Sequence, residues 1–116
     1  MTGSSGLAVR EYLTTDGRNP FRKWLDALDV AAWARIQARI LRFSTGNLGD
    51  HKHVGAGVWE TRVMFGPGYR IYFGHAGRTL ILLLLGGDKA SQSGDIPRAQ
   101  RFWRDYMEAT GRGKKK

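Results

Sequence analysis

The spacing of apolar residues changes twice along this chain, and those changes most limit what it can fold into. Between Asn19 and Phe43 the apolar residues recur every three or four positions, which is the period of a helix with one buried face. From His51 to Leu85 they alternate with polar residues or run together, as they do in strands. The helical spacing returns after Ser93. This order predicts an α+β domain with helices on either side of a sheet in the sequence.

Local signals mark where the three predicted helices begin. Asn19 followed by Pro20 suits a helix start, and Asp29 can cap a second helix directly after the first. The third helix is predicted to start at Ser93 or Asp95, which leaves Pro97 in its first turn, where proline is tolerated. The apolar stripes that should be buried are, in order, Phe21, Trp24, Leu25 and Leu28, then Trp33, Ile36, Ile40 and Phe43, then Ile96, Ala99, Trp103 and Tyr106.

Four segments have the composition and alternation of strands. They are residues Leu7–Leu13, Val58–Phe65, Tyr69–Phe73 and Thr79–Leu85, the first followed by a turn at 14–17. On the first strand, Leu7, Val9 and Leu13 should share one side. The last three strands are joined by short glycine-containing connections, so the sheet should be mostly antiparallel, and Gly86-Gly87 should end it. The last strand is nearly all apolar, which predicts that both of its faces are covered.

The charge balance is the strongest compositional clue to a partner. Among 116 residues, 19 Lys and Arg face 10 Asp and Glu, for a net charge of +9, and the isoelectric point is near 10.5. Such a balance favours a polyanion, nucleic acid first. Lys114, Lys115 and Lys116 contribute three of these charges and can equally be a solubilising tail, but +6 remains without them. The length predicts one domain over 7–110, with tails at 1–6 and 111–116.

Other features bear on compartment and cofactors. The chain has no cysteine, which excludes disulfides and thiolate zinc sites. Its start is small and polar rather than a signal peptide, and the longest apolar run, Leu80–Leu85, is too short to cross a bilayer. His51 and His53 alone make a poor metal site. We therefore expect a cytoplasmic protein that needs no membrane, metal or other cofactor.

The hairpin around Gly66-Pro67-Gly68 gathers polar side chains in the middle of the sheet. If the pairing is symmetric about Pro67, Arg62 lies opposite Tyr72 and Met64 opposite Arg70. Because alternate side chains share a face, one face would carry Glu60, Arg62, Arg70 and Tyr72, and the other would carry Trp59, Thr61, Val63, Ile71 and Phe73. The second set is the predicted core. The first is either an anion-binding cluster or a structural Arg–Glu pair on an exposed face.

Further basic residues surround this hairpin in the sequence. Arg35, Arg39 and Arg42 share one face of the second helix, so they can face phosphates or an acidic partner, or form a solvated face. Lys89 is delivered to the end of the sheet by the last strand, although its surroundings lack phosphate-loop spacing. His51, Lys52 and His53 precede the hairpin in a predicted loop, where Lys52 can bind phosphate and His51 can transfer protons near neutral pH.

Four segments together resemble a known family. They are Phe21-Arg-Lys-Trp-Leu-Asp-Ala-Leu28, Ala38-Arg-Ile-Leu-Arg-Phe43 with Gly46-Asn-Leu-Gly-Asp50, Gly66-Pro-Gly-Tyr-Arg-Ile-Tyr-Phe73, and Leu82-Leu-Leu-Leu-Gly-Gly-Asp-Lys-Ala-Ser-Gln92. In this order, from about Val9 to Glu108, they resemble the addiction module killer proteins, which are HigB-like members of the RelE/ParE toxin superfamily. The Gly-Pro-Gly-Tyr-Arg and Gly-Gly-Asp-Lys segments are the most specific.

The resemblance implies a RelE-like fold, with a curved, mostly antiparallel sheet, an N-terminal helical pair and a C-terminal helix. It also implies a toxin held inactive by a cognate antitoxin, often a helix-turn-helix protein. Many such toxins cleave mRNA on the ribosome, whereas members of the ParE branch inhibit DNA gyrase. A remnant that only binds its antitoxin is a third alternative.

The resemblance matches the family's basic and tyrosine positions to Arg62, Arg70, Tyr72 and Lys89. Arginine suits the charge of a phosphorane, so Arg70 and Arg62 are assigned to it. Lys89 is a candidate acid or base, because neighbouring arginines favour its neutral form. Tyr72 could stack on a nucleotide or transfer a proton, with His51 in reserve. The chain continues into a helix after its last strand, as killer proteins do, instead of ending in the catalytic residues that some relatives carry there.

Overall fold

Five strands form one mixed sheet at the centre of the computed structural model, which describes residues 7–111. The strands are β1 (Ala8–Glu11), β2 (Asp50–His53), β3 (Val58–Val63), β4 (Tyr69–Ala76) and β5 (Leu80–Asp88), and the helices are α1 (Pro20–Asp26), α2 (Val30–Phe43) and α3 (Gln92–Thr110). The strand order is β1-β5-β4-β3-β2. Only β1 runs parallel to its neighbour β5, and the other pairs are antiparallel. The α+β class is therefore confirmed. Residues 1–6 and 112–116 of the predicted tails lie outside the described residues.

The first two helices begin where the capping residues predict. The Asn19 side chain accepts a hydrogen bond from the Arg22 N–H at 2.9 Å, and Asp29 accepts one from the Ala32 N–H at 2.8 Å. Each cap satisfies a backbone donor that the first turn leaves without a partner. The predicted stripes of both helices pack on one face of the sheet, so the N-terminal helical pair is confirmed.

The third helix begins earlier than predicted. Asp88 accepts a hydrogen bond from the Ser91 N–H at 3.0 Å, and the Ser91 carbonyl accepts from the Asp95 N–H at 3.0 Å, so the chain already coils after Ser91. The start at Ser93 or Asp95 was wrong. Pro97 consequently lies inside the helix rather than in its first turn, where it cannot donate the usual backbone hydrogen bond.

The first strand is shorter than predicted and the second was missed. The chain leaves β1 after Glu11, so Leu13 is 58% exposed instead of sharing a buried side with Leu7 and Val9. His51, Lys52 and His53 were predicted to lie in a loop, yet Asp50–His53 pair with β3 as an edge strand. All four are polar or charged and exposed, so they lack the alternation that reveals a strand.

The last strand continues through the glycines that were predicted to end it. β5 runs through Gly86 and Gly87 to Asp88 because β4 pairs with it along that length. A Cβ atom on Gly86 would lie 2.0 Å from the Trp24 ring, and one on Gly87 would lie 1.9 Å from the Asp95 carboxylate. These glycines therefore let α1 and α3 approach the sheet closely.

The β3–β4 hairpin pairs two residues away from the predicted register. Arg62 lies opposite Arg70 and Glu60 opposite Tyr72, so the hairpin is centred on Gly66 rather than Pro67. The turn depends on Gly66 and Gly68, whose φ angles of 57° and 81° favour glycine. A shift of two keeps every side chain on its predicted face, whereas a shift of one would have exchanged the faces.

Both faces of the sheet are covered. The face beneath α1 and α2 holds the predicted core side chains of the hairpin together with Ile81 and Leu83, and the opposite face packs against the Ile96, Ala99, Trp103 and Tyr106 stripe of α3. β5 is buried on both faces, as predicted. Within residues 7–111 no helix combines the length and apolar character needed to cross a membrane.

Candidate functional site

A cleft of about 240 Å³ between α2, β2 and the end of β3 is lined by four arginines. Three of them are the predicted stripe of α2, and the fourth comes from β3; they are Arg35, Arg39, Arg42 and Arg62. The remaining lining residues are Asp50, Ala38, Val63 and Met64. We call these four side chains and their surroundings the arginine cleft. Four guanidinium groups beside one carboxylate make it strongly attractive to anions.

Contacts with neighbouring residues hold three of these arginines in place. The Arg35 guanidinium lies 4.5 Å above the centre of the Phe65 ring, a favourable cation–π position. Arg62 Nη2 lies 2.9 Å from an Asp50 carboxylate oxygen, and both side chains are partly exposed. Arg39 packs against Gly49, where a Cβ atom would lie 2.2 Å from its Nη1. The guanidinium groups are therefore oriented but still open to solvent.

The two histidines of β2 flank a tryptophan beside this cleft. The rings of His51 and His53 lie 5.7 Å and 5.0 Å from the Trp59 ring, and both imidazoles are exposed. His51 Nδ1 is 2.8 Å from the Gly49 carbonyl oxygen, so Gly49 contacts both His51 and Arg39. Within the described part of the chain, no cluster of three or more metal-ligating side chains gathers around them. Lys52 is exposed and pairs in register with Glu60.

The other half of the predicted cluster is buried beneath the start of α3. Glu60 is completely buried, Arg70 Nε lies 3.5 Å from its Oε2, and Gln92 Nε2 donates to the same oxygen at 2.6 Å. Arg70 Nη1 also donates to the Gly68 carbonyl at 2.9 Å. The interpretation of an Arg–Glu pair on an exposed face was thus wrong about exposure, because α3 covers the pair. These bonds link the hairpin to the helix.

Tyr72 lies in the same buried region and cannot meet a nucleotide in this arrangement. Its side chain is fully buried, and its hydroxyl has no hydrogen-bond partner among residues 7–111. Burial, followed by the negative charges of Glu60 and Asp95, raises the pKa of Tyr72 well above its usual range. The hydroxyl therefore stays protonated at neutral pH. The role that remains for Tyr72 is to pack and to orient its neighbours.

Lys89 is exposed immediately after β5, at the same end of the sheet as both hairpin arginines. Its Cβ and the Arg70 guanidinium both lie close to Gly68. Arg62 is the cross-strand partner of Arg70. Lys89 and Arg62 therefore lie at the same end of the sheet, and the buried Arg70 lies between them in the strand order.

Two features of this region were not anticipated from the sequence. Gln92 joins α3 to the sheet through Glu60, and Asp95 accepts a hydrogen bond from the Ser91 hydroxyl, which in turn accepts one from the Asp88 N–H at the end of β5. Nothing local distinguishes Gln92 and Asp95 from surface residues. A larger groove of about 970 Å³ lies between α1 and α3 over Gly86 and Gly87. Its cations are Arg18, Lys23, Arg98 and Arg101. Arg98 and Arg101 lie three residues apart in the sequence and therefore share a face of α3, and this spacing could have indicated the groove.

One relative establishes the ancestry of the chain. A Haemophilus influenzae protein described as uncharacterized is 44% identical over 81 residues, which cover 69% of this chain and 82% of that protein. The chain belongs to the family of that Haemophilus protein. No protein-family model matches it. Membership in this family carries no activity with it, so function must be argued from the arginine cleft and its neighbours.

Proposed function

We propose that this protein is the toxin of a type II toxin–antitoxin system and that it cleaves mRNA on the ribosome as a metal-independent endoribonuclease. The observation that carries the proposal is the arginine cleft, where four arginines face one carboxylate. The sequence resemblance to addiction module killer proteins supports it independently.

The cleft and its border suit single-stranded RNA. Arginine binds phosphate oxygens through a planar fork of donors and remains charged at every physiological pH. Beside the cleft, half-buried Trp59 and exposed His51 and His53 provide ring faces on which unpaired bases can stack. Phosphate contacts and stacking platforms together are typical of single-strand recognition.

The exposed residues can supply the steps of metal-free cleavage. The ribose 2′-oxygen loses its proton and attacks the phosphorus, and the bond to the 5′-oxygen breaks as that oxygen gains a proton. This leaves a 2′,3′-cyclic phosphate and a 5′-hydroxyl. His51 is the candidate proton-transfer group, while the arginines of the cleft offset the phosphorane charge, since Gly49 contacts both His51 and Arg39. Lys89 lies outside the lining of the cleft, where it can bind a neighbouring phosphate of the RNA. Arg70 and Tyr72 act as positioning residues, because both are buried.

Inhibition of DNA gyrase is the second candidate function. The burial of Arg70 and Tyr72 favours it, since it leaves fewer exposed groups for chemistry than the resemblance implies. In that case the arginine cleft would bind protein or DNA without cleaving anything. A chain that only binds its antitoxin is the remaining alternative, and it would arrest neither translation nor supercoiling.

Induced expression in bacteria separates these functions. We expect wild type to arrest growth and to produce new mRNA 5′ ends within translated frames. Arg62→Ala and His51→Ala should abolish these ends, because they remove the groups proposed to bind the phosphate and to transfer the proton. Both side chains are at least partly exposed, so neither change should disturb the fold much. Arg78→Ala is the matched control, since Arg78 is an exposed arginine between β4 and β5, outside the lining of the cleft.

A gyrase supercoiling assay completes the experiment. Growth arrest with intact mRNA and impaired supercoiling would replace the ribonuclease proposal with gyrase inhibition. Cleavage that is equally strong in Arg62→Ala and in wild type would remove the arginine cleft from the mechanism. Absence of any arrest would favour the antitoxin-binding remnant.

A further inference from the structure

The groove between α1 and α3 is open because β1 leaves the sheet before β5 ends. β1 pairs with β5 only as far as Glu11 and Leu83. From Leu85 to Asp88, β5 pairs with β4 on one side, and no strand among residues 7–111 lies on the other. This last stretch of β5 lines the groove between the two helices. We call the site the α1–α3 groove.

The floor of the α1–α3 groove presents backbone groups to a ligand. An open strand edge carries backbone N–H and C=O groups that no ladder partner satisfies. The Asp88 N–H donates to the Ser91 hydroxyl at 3.1 Å rather than to a strand. Since alternate residues of a strand direct their backbone groups to the same edge, the N–H and C=O of Gly86 also point toward the groove. The edge of a nucleobase, which carries donors and acceptors side by side, is complementary to such a pair.

Each helix contributes one aromatic ring to the α1–α3 groove. Trp24 of α1 lies against Gly86, where a Cβ atom would be 2.0 Å from the ring, and Phe102 lines the groove from α3. Both side chains are only partly buried. Aromatic rings hold planar ligands by stacking or by edge contacts. The floor and walls therefore suit a flat heterocycle.

Charged residues of both signs line the same groove. The exposed cations come from the turn before α1, from α1 and from α3; they are Arg18, Lys23, Arg98 and Arg101. The carboxylates belong to Asp88 and Asp95, where the chain passes from β5 into α3. Guanidinium and ammonium groups bind phosphate oxygens, whereas a carboxylate accepts hydrogen bonds from N–H groups and repels phosphate. The groove thus favours a small molecule that carries both phosphate and N–H donors.

We propose that the α1–α3 groove binds a free nucleoside phosphate. The base lies between Trp24 and Phe102 with its edge on the β5 backbone, and the phosphates contact Lys23 and Arg101. The volume of about 970 Å³ is that of a small-molecule site, since such pockets span roughly 300–1,000 Å³. RNA fits less well, because a continuous run of phosphates along the groove would pass the two carboxylates.

This site is separate from the arginine cleft. The two share no lining residue, and β4 and β3 lie between β5 and the β2 edge of the sheet. The proposal therefore goes beyond the proposed ribonuclease activity and does not depend on it.

Titration calorimetry with ADP and with GDP tests the site. We expect at least one of them to bind, one molecule per chain, with a dissociation constant below about 1 mM. The matching nucleoside alone and pyrophosphate alone should each bind at least about tenfold more weakly, because each keeps only part of the contacts.

Two variants separate the contributions of charge and ring. Lys23→Glu/Arg101→Glu should weaken nucleotide binding by roughly tenfold or more, since two exposed cations become anions. Arg78→Glu/Arg104→Glu changes the net charge equally at exposed positions outside the groove and should bind as wild type does. Phe102→Leu should weaken nucleotide binding but leave pyrophosphate binding unchanged, because it removes a ring and no charge.

Other outcomes overturn the proposal. Failure of both nucleotides to saturate the protein below about 1 mM contradicts it. Pyrophosphate that binds as tightly as the nucleotides reduces the groove to an anion site, and equal weakening in Arg78→Glu/Arg104→Glu reduces the binding to general attraction by a basic protein. A short single-stranded RNA that displaces the nucleotide, and whose own binding is lost in Lys23→Glu/Arg101→Glu, assigns the groove to RNA. Nucleotide binding by a wild-type protein that cleaves no mRNA would sink only the proposed function.

Discussion

Two arginine–carboxylate pairs lie side by side on the sheet in opposite environments. Arg70 and Glu60 have side chains that are 10% and 0% exposed, beneath α3. Arg62 and Asp50 have side chains that are 43% and 61% exposed, at the β2 edge. Arg62 lies directly opposite Arg70 in the β3–β4 pair. Two arginines that look equivalent in the sequence thus belong to a buried structural region and to an open binding region.

The difference lies in what covers each pair. A charge removed from water must be fully paired, because its hydration is lost and loss of the partner leaves it uncompensated. Beneath α3 the pairing is already incomplete, since Glu60 Oε1, Arg70 Nε and the Tyr72 hydroxyl have no hydrogen-bond partner among the described residues. The exposed pair can exchange its carboxylate for a phosphate at little cost. Buried cations therefore hold the fold, and exposed ones are free to bind.

The largest effect is expected for Arg70→Ala. Removal of Arg70 leaves Glu60 buried without its cation, so the free energy of unfolding should fall by about 3–5 kcal/mol. Urea denaturation measures this fall. Arg62→Ala is the matched control and should change stability by only about 0.5 kcal/mol. Equal losses of unfolding free energy in Arg70→Ala and Arg62→Ala would contradict the distinction between a buried structural pair and an exposed pair. The double variant Glu60→Leu/Arg70→Met should recover most of the stability, because neither charge then remains buried.

Gly74→Ala tests how tightly α3 closes over the buried region. A Cβ atom on Gly74 would lie 2.1 Å from the Trp103 ring, so the helix must shift, and we expect a loss of about 1–3 kcal/mol by thermal denaturation. Gly94→Ala serves as control. Gly94 lies in α3 with no atom within 4 Å of its Cβ position, so this change should stabilise by up to about 1 kcal/mol. A tolerated Gly74→Ala would mean that α3 sits loosely.

The contribution of the partly exposed Glu11–Arg22 pair to stability should lie between that of the buried Arg70–Glu60 pair and that of the exposed Arg62–Asp50 pair. Burial alone would raise the pKa of Glu11, but hydrogen bonds from Arg22 and Asn19 and the charge of Arg22 lower it overall. Because the folded pKa is lowered, the pair stabilises the protein above the unfolded value of about 4.5, and this contribution disappears as pH falls below it. Glu11→Gln should cost about 0.5–1 kcal/mol at pH 7 and flatten the stability curve in acid. If the free energy of unfolding of Glu11→Gln fell with acid as it does in wild type, the pair would not be the source of the acid dependence.

The smallest effect is expected for Tyr72→Phe. The lost hydroxyl has no partner in the described structure, so stability at pH 7 should change by less than about 0.5 kcal/mol. The raised pKa of Tyr72 means that its hydroxyl favours folding below the unfolded pKa of about 10 and less so as pH rises above it. Stability of Tyr72→Phe should therefore decline less than that of wild type in strong alkali. Loss of mRNA cleavage at unchanged stability would show that the hydroxyl reaches substrate after all.

Features that depend on near neighbours in the chain were predictable. The caps at Asn19 and Asp29, the stripes of the helices and the burial of β5 follow from residue type and spacing, and all are confirmed. The opposite faces of the hairpin were also predicted correctly despite the wrong register, because side chains alternate with a period of two. The same local reasoning placed Arg35, Arg39 and Arg42 together.

Features that depend on contacts between residues far apart in the chain were not predictable from the sequence. β2 is a strand only because β3 pairs with its polar residues, and β5 extends past Gly87 only because β4 continues beside it. The parallel pairing of β1 with β5 likewise joins segments about seventy residues apart.

The sequence by itself determined the α+β class, the buried faces of the helices and of the β3–β4 hairpin, and the surplus of cations. Only the tertiary structure decided which of those cations are usable. Arg70 and Tyr72 are enclosed because α3 returns over the sheet, whereas Arg62 and the arginines of α2 stay in solvent because no described element covers them. Spacing along a chain specifies which side chains share a face, but exposure depends on what packs on that face, and that is set by contacts between residues far apart in sequence.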